Sequence, residues 1–467
     1  MTKDMTTGNP VKLILLFSIP LLIGNIFQQF YSMVDTIIVG RFLGVKSLAA
    51  VGSTGSMSFL IIGAVLGLTS GFSVLVSQRF GANDEEGLKK AVGSSITLSL
   101  IMTIIVTVVS LAITKPLLNI VNTPSDIIDD SYTYISVIFG GTFAVFFYNI
   151  LSSILRALGD SKTPLYFLIV ASILNVILDI VFIVNFSMGV AGAAYATVVS
   201  QTISAILCLF YTYKKFPILR LNKEHFKFDI EYFKKHLAIG VPMALQFSIT
   251  AVGAVILQGA VNNFGSIVVA AFTAALKVEQ LVMHPSVTFG VTMATYAAQN
   301  LGAGNIERIK DGVKKCTIIN IIIGIASGII LVVFGEYFVR LFVSDSNIQV
   351  IAYAKQYLTT VAFFFIPLSL IFIYRNSLQG MGYTFIPMMA GVGELLARLI
   401  VSFTLPSFIG YAGICLASPM AWIAACVPLI LEFIRRIKLM TSDKETTTCC
   451  PTSISNKILC ILKIKLG

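Results

Sequence analysis

Apolar runs of roughly 20 residues, each long enough to cross a bilayer as a helix, follow one another along almost the whole chain. Inside lipid a helix satisfies its own backbone N–H and C=O groups, which an open strand or loop cannot do. The pattern predicts twelve spans, near residues 12–38, 48–77, 91–114, 131–155, 164–184 and 190–213, then 237–262, 267–297, 313–335, 350–374, 385–405 and 411–434. The first is too long for a signal-peptide core and lacks a small-residue cleavage site, so it is expected to stay as a membrane helix.

The same punctuation occurs twice. Gln78-Arg79-Phe80-Gly81-Ala82 returns as Gln299-Asn300-Leu301-Gly302-Ala303, Leu158-Gly159 as Gln379-Gly380, and Gly189-Val190-Ala191-Gly192 as Gly410-Tyr411-Ala412-Gly413, each 221 residues further on. Matches spread over most of each half indicate a duplicated unit of six spans. Six is even, so both copies enter the membrane in the same direction and the repeat is parallel. The expected fold is an all-α polytopic membrane protein with twelve transmembrane helices in two six-helix bundles. The bundles take residues 1–213 and 237–436, with a charged linker at 214–236 and a basic tail at 437–467. Bundles related in this way usually enclose a substrate path, so transport is the first functional expectation.

Composition agrees: 56% of residues are hydrophobic and 12% charged, against roughly 25% charged in soluble domains. The net charge of +11 would suggest nucleic acid in a soluble protein, but its distribution points elsewhere. Of 33 Lys and Arg, 26 fall in the N-terminus, the linker, the tail and the loops on their side, Arg375 after the tenth span among them. Arg41, Lys46, Lys115 and Arg340 fall on the other side, and Lys277, Lys355 and Arg398 within spans. By the positive-inside rule both termini are cytoplasmic in a multi-pass cell-membrane protein, and no nucleic-acid partner is expected. Lys214, Lys215, Lys223, Lys227, Lys234 and Lys235 read as a solvated connection. The segment Ile458–Leu466 reads as a membrane-surface or disordered end. The seven cysteines form no CxxC, so neither a disulfide nor a metal site is expected.

Gly63, Gly67 and Gly71 recur every four residues and leave one face of the second span open to close helix approach. Pro20 and Pro242 sit at matching places early in the first and seventh spans, where each removes a backbone hydrogen bond.

An ionisable side chain at the bilayer centre costs about 2.5–3.5 kcal/mol on insertion scales, so each one needs an explanation. The acids well inside spans are Asp35, Asp179, Glu279 and Glu394. Gly24, Gln28, Tyr31 and Asp35 share one face of the first helix, which must turn away from lipid. Asn175 lies one turn before Asp179, and Thr197 about two turns into the sixth span. Asp35, Asp179, Asn175 and Thr197 lie 3, 5, 9 and 7 residues from the outer ends of their spans and so share one layer. Two carboxylates there would hold a proton or a small cation, with amide and hydroxyl oxygens as co-ligands. A purely structural polar network is the alternative. The second copy has lost the pair: the corresponding positions are near Leu257, Arg398 and Ser402. It carries Lys277 and Glu279 on the eighth span and the i,i+4 pair Glu394–Arg398 on the eleventh. These read either as mutually neutralising ion pairs or, through the two acids, as attraction for a cationic substrate. His284 reads as a packed histidine. The aromatic clusters Phe143–Tyr148 and Phe363–Phe365 are candidates to line a cavity for hydrophobic cations.

Together these residues resemble the multidrug and toxic compound extrusion (MATE) family over roughly 10–436. The resemblance rests on the Pro20 helix with Asp35, the paired Gln78 and Gln299 loops, the Leu158-Gly159-Asp160 turn, and Asn175 and Asp179 followed by Gly189–Ala193 and Thr197. It implies two six-helix lobes forming a V, and export of cationic amphipathic compounds driven by H⁺ or Na⁺. It further implies a cation site at Asp35, Asn175, Asp179 and Thr197, and matches Glu279 to an acid implicated in drug handling; Gln28, Tyr31, Glu394 and Arg398 are the other candidate substrate contacts read from the sequence. A glutamate on the seventh span and an aspartate on the tenth, used by some members, are both missing here. The expected assembly is a monomer in the lipid bilayer, with no cofactor beyond the coupling ion. A flippase for lipid-linked saccharides is the alternative, and an ion channel stays open. No HExxH, GxSxG or other hydrolytic motif suggests an enzyme.

Overall fold

The computed structural model describes residues 4–449 apart from 122, 342 and 344–346. The expected surface segment at 458–466 and the thiols of Cys449, Cys450 and Cys460 lie outside the residues and side chains described. The helices run α1 Pro10–Leu43, α2 Val45–Ser53, α3 Gly55–Gly81, α4 Glu85–Ile120, α5 Ile128–Gly140, α6 Thr142–Ala157, α7 Lys162–Ile180 and α8 Gly189–Lys215. The second half runs α9 Ile230–Asn262, α10 Ser266–Gly302, α11 Ile306–Arg340, α12 Ile348–Ala362, α13 Phe365–Gly380, α14 Phe385–Thr404, α15 Pro406–Ile409 and α16 Tyr411–Cys449. Among the described residues ten helical stretches are long and apolar enough to span alone, and counting each of the bent pairs α5/α6 (44°) and α12/α13 (54°) as one span brings the number to twelve. Helix starts carry ordinary signals. Asn9 accepts from the Val11 and Lys12 N–H groups ahead of Pro10, and Asp84 and Asp229 cap α4 and α9.

The predicted fourth and tenth spans are each broken, at Gly141 and at Phe363-Phe364, in corresponding places of the two copies. The repeat also explains its glycines. Gly189 and Gly410 take left-handed φ angles of 60° and 59°, which turn the chain into α8 and α16. Three residues on, a Cβ at Gly192 would lie 3.2 Å from the Phe182 backbone and one at Gly413 2.6 Å from the Leu405 backbone. One expected match is corrected: the left-handed Gly159 (φ 81°) is repeated by Gly382 (φ 88°), not by Gly380. The displacement there is 223 because the second copy has two extra residues before this turn, and Pro164 and Pro387 follow at the same spacing.

The linker is shorter and better packed than a solvated connection. Its six lysines are exposed, but α9 already begins at Ile230, and Phe216, Leu219 and His225 are buried. His236 is fully buried on α9, with Nε2 3.1 Å from the Ala91 carbonyl and its ring edge against Phe72. Cys208, Cys316, Cys415 and Cys426 are buried free thiols.

The face of the bundle that carries the linker is where the two lobes meet. Gly67 and Gly71 of α3 abut the backbone of α9 at Ala244 and Gly240, as expected for a face without side chains, and Gly63 rests on Phe247. Val74, Ile239, Met243 and Ala298 form a small apolar cluster across the seam. Helix α1 belongs to both lobes. Its lower residues Ile14 and Phe17, with Met5 before it, sit in the core of the C-terminal lobe, and Ser18 pairs with Thr292 at 2.8 Å. Its upper residues Ile38 and Val39 pack with Ile183 and Ala193 of the N-terminal lobe.

Candidate functional site: a carboxyl pair in the N-terminal lobe

Longer helices bring the expected polar layer closer to one level than the predicted limits did. α1 ends at Leu43, the α7 segment at Asn185 and α8 starts at Gly189. Asp35, Asp179, Asn175 and Thr197 are therefore 8, 6, 10 and 8 residues from those ends, about 9–15 Å at 1.5 Å per residue.

The structure brings all four together. Asp179 and Asn175 are fully buried, and Asp35 and Thr197 half-buried. The Asp35 and Asp179 carboxyl groups are within hydrogen-bonding reach of each other. Carboxylates only accept, so that bond needs a proton on one of them. The second oxygen, Oδ1, of each acid is buried without a partner. With its amide turned to satisfy both ends, Asn175 donates to Asp179 Oδ2 at 3.2 Å and accepts from the Thr197 N–H at 3.2 Å. In the opposite orientation the amide makes a single 3.4 Å contact to the Thr197 hydroxyl. Tyr31 reaches Thr197 and lies beside both acids.

Local irregularity shapes this layer. Directly after Asp179 the helix loosens into a π turn, Val181–Asn185, of the kind often found beside functional residues. Gly192 lets α8 approach that turn closely, and Ala193 of the same motif receives the Thr197 hydroxyl at 3.1 Å. Tyr134 of α5 also lies beside Asp35, Asp179 and Tyr31, and sequence reasoning missed it. It is six residues from the start of α5, so a depth comparison that included tyrosines would have found it.

The C-terminal lobe carries a different cluster. Glu394 of α14 receives Arg398 on one oxygen at 2.9 Å and Arg375 of α13 on the other at 3.1 Å, with all three side chains 8–9% exposed. Arg375 is thus a buried helical residue, not part of a loop; the charge itself had ended the predicted span at 374, six residues before α13 ends at Gly380. Gln246 of α9 accepts from Gln379 of α13 at 2.7 Å close by, and Arg398 lies over Gly253. Glu279 is buried and receives the Tyr357 hydroxyl at 2.8 Å, while Lys277, two residues away, is exposed and makes no pair with it. Gln28 is exposed on the face of α1 that carries Tyr31. The aromatic clusters are split: Phe143 and Phe363 are exposed, whereas Phe146 and Phe365 are core residues.

Two lobes of six spans, the N-terminal one holding a buried carboxyl pair, define a membrane transporter scaffold. The chain belongs to the MATE family: the MatE family model matches it twice, at residues 20–181 and 242–404, once on each half. It is 31% identical over 383 residues to the probable multidrug resistance protein YpnP of Bacillus subtilis, covering 81% of this chain and 84% of that one. It is 32% identical over 345 residues to the probable multidrug resistance protein YoeA of the same organism, covering 72% and 74%. Its fold matches the outward-facing conformation of a multidrug resistance MATE transporter with a TM-score of 0.88, at 24% identity over 94% of this chain and 99% of that one.

Proposed function

We propose that the chain is a secondary antiporter that exports cationic amphipathic compounds, with H⁺ as the coupling ion bound at Asp35 and Asp179. The observation that carries this reading is the carboxyl–carboxyl contact, which a proton makes favourable and its loss makes repulsive. Asn175 and Thr197 hold Asp179 in place, and Gln28 and Tyr31, on the same face of α1, contact the substrate. We give Glu279, Glu394 and Arg398 a structural role in the C-terminal lobe, because each is already engaged by a buried partner or a neighbouring charge. The basic face, with the linker and both termini, is taken as cytoplasmic by the positive-inside rule. The seam described above then corresponds to an outward-open state. A flippase for anionic lipid-linked saccharides would use free basic side chains, whereas Arg375 and Arg398 both turn to Glu394.

The test is ethidium-type dye efflux from proteoliposomes, with pH and Na⁺ gradients imposed separately. A pH gradient alone should drive efflux, and Asp35→Asn and Asp179→Asn should each abolish it. Undiminished efflux in both variants would refute the assignment, and efflux driven only by Na⁺ would overturn the choice of ion.

A further inference from the structure

Gln78 and Gln299 open the repeated five-residue motif and take no part in the carboxyl site. They stand on the last turns of α3 and α10, where the lobes touch at the linker face. Gln78 Nε2 donates to the Gly380 carbonyl at 3.1 Å, and Gln299 Nε2 donates to the Ala157 carbonyl at 2.8 Å. Each glutamine therefore reaches out of its own lobe to the end of the broken span of the other. Gly380 and Ala157 are the last residues of α13 and α6, whose terminal carbonyls have no intrahelical partner. The two bonds are related by the repeat: Gln78 and Gln299 at a displacement of 221, Ala157 and Gly380 at 223. Beside them Gly81 abuts the Gln299 backbone and Gly302 the Gln78 backbone, so the helix ends meet with no side chain between.

We propose that Gln78 and Gln299 form a reciprocal amide clasp that holds the linker face shut, and that its release sets the balance between this state and one open on that face. Opening the seam strips two helix ends of their carbonyl partners at once, and one substitution removes half of that cost. The clasp is unequal. Gln299 is fully buried and also accepts the Met5 N–H at 2.9 Å, whereas Gln78 is half-exposed in a surface cleft with Arg79, Lys235 and Leu301. The Gln78 side is therefore the one that water reaches first, and the one that can be substituted without emptying a core. The inference rests on the transporter reading only in needing lobes that move; it does not depend on the coupling ion.

The experiment places spin labels at Lys90→Cys and Lys310→Cys, exposed positions on α4 and α11, in a background with the native cysteines replaced, and records the distance distribution between lobes. Gln78→Leu removes the donor, and Gln78→Glu keeps the length but turns a carboxylate toward the Gly380 carbonyl. Each should raise the longer-distance population about fivefold, the worth of one hydrogen bond of about 1 kcal/mol. Gln299→Leu should do the same if it folds. Should Gln78→Leu not fold, Gln78→Glu decides the matter. Unchanged distributions in the folded Gln78 variants would overturn the clasp. A shift in the distances together with normal efflux by Asp35→Asn would sink the ion site and leave the clasp standing.

Discussion

Glu394→Gln should be one of the most destabilising single substitutions in the C-terminal lobe. The side chain is 9% exposed, and each of its oxygens holds a guanidinium, Arg375 at 3.1 Å and Arg398 at 2.9 Å. A neutral amide can satisfy one of them at most, which leaves two buried cations with no counter-charge between them. Removing one member of a buried ionic group costs about 3–5 kcal/mol. At about 2–4 °C per kcal/mol for a unit of 150–250 residues, the melting temperature should fall by about 6–20 °C. Arg398→Leu should cost less, because Glu394 and Arg375 remain as a balanced pair and the space over Gly253 can be refilled. The assay is thermal unfolding of purified protein in detergent, followed by the fluorescence of Trp422. It is the chain's one tryptophan and is buried against Phe365 in the same lobe. A smaller loss for Glu394→Gln than for Arg398→Leu would refute the reasoning. So would an unchanged melting temperature with weakened substrate affinity, which would make Glu394 a substrate contact.

Two further sets of substitutions follow from close backbone approaches. Gly67→Ala and Gly71→Ala each put a methyl into the backbone of α9 and should cost about 1–3 kcal/mol in thermal unfolding, as overpacking usually does. Gly63→Ala meets the Phe247 Cβ at 3.3 Å rather than backbone below 3 Å and should cost less than either. Gly413→Ala should destabilise more than Gly192→Ala, since the first meets backbone at 2.6 Å and the second at 3.2 Å; equal melting temperatures would contradict this.

The sequence was informative wherever one physical cause dominated. The apolar runs gave all twelve spans, because lipid leaves a spanning segment little choice but helix. The intramembrane acids gave the carboxyl layer, because Asp35 and Asp179 have no cheap alternative to facing inward. The kink at Phe363-Phe364 has a local cause in Pro367, which has no N–H to offer the Phe363 carbonyl, but the hydropathy pattern alone runs across it. What else stayed hidden depended on contacts between distant segments. Arg375 looked like the start of a loop, because hydropathy cannot see the carboxylate supplied by Glu394 from another helix. Tyr134 was passed over as one aromatic among 16 Tyr and 34 Phe. The shift from 221 to 223 between the copies became visible only when the left-handed turns at Gly159 and Gly382 were compared.

Helix α1, shared between the lobes, also constrains how the protein can be made. It is synthesised before the other helices described, yet Ile14 and Phe17 finish their packing against helices such as α10, which begins at Ser266. Ser18 must likewise wait for Thr292. Until the second half is inserted, the lower part of α1 has only lipid and chaperones for company. The N-terminal half expressed alone should therefore insert but remain protease-sensitive around Ile14, and become protected when the second half is co-expressed. Assembly of this protein is thus a long-range closing step, in which α1 finds its place only after α10 has been inserted.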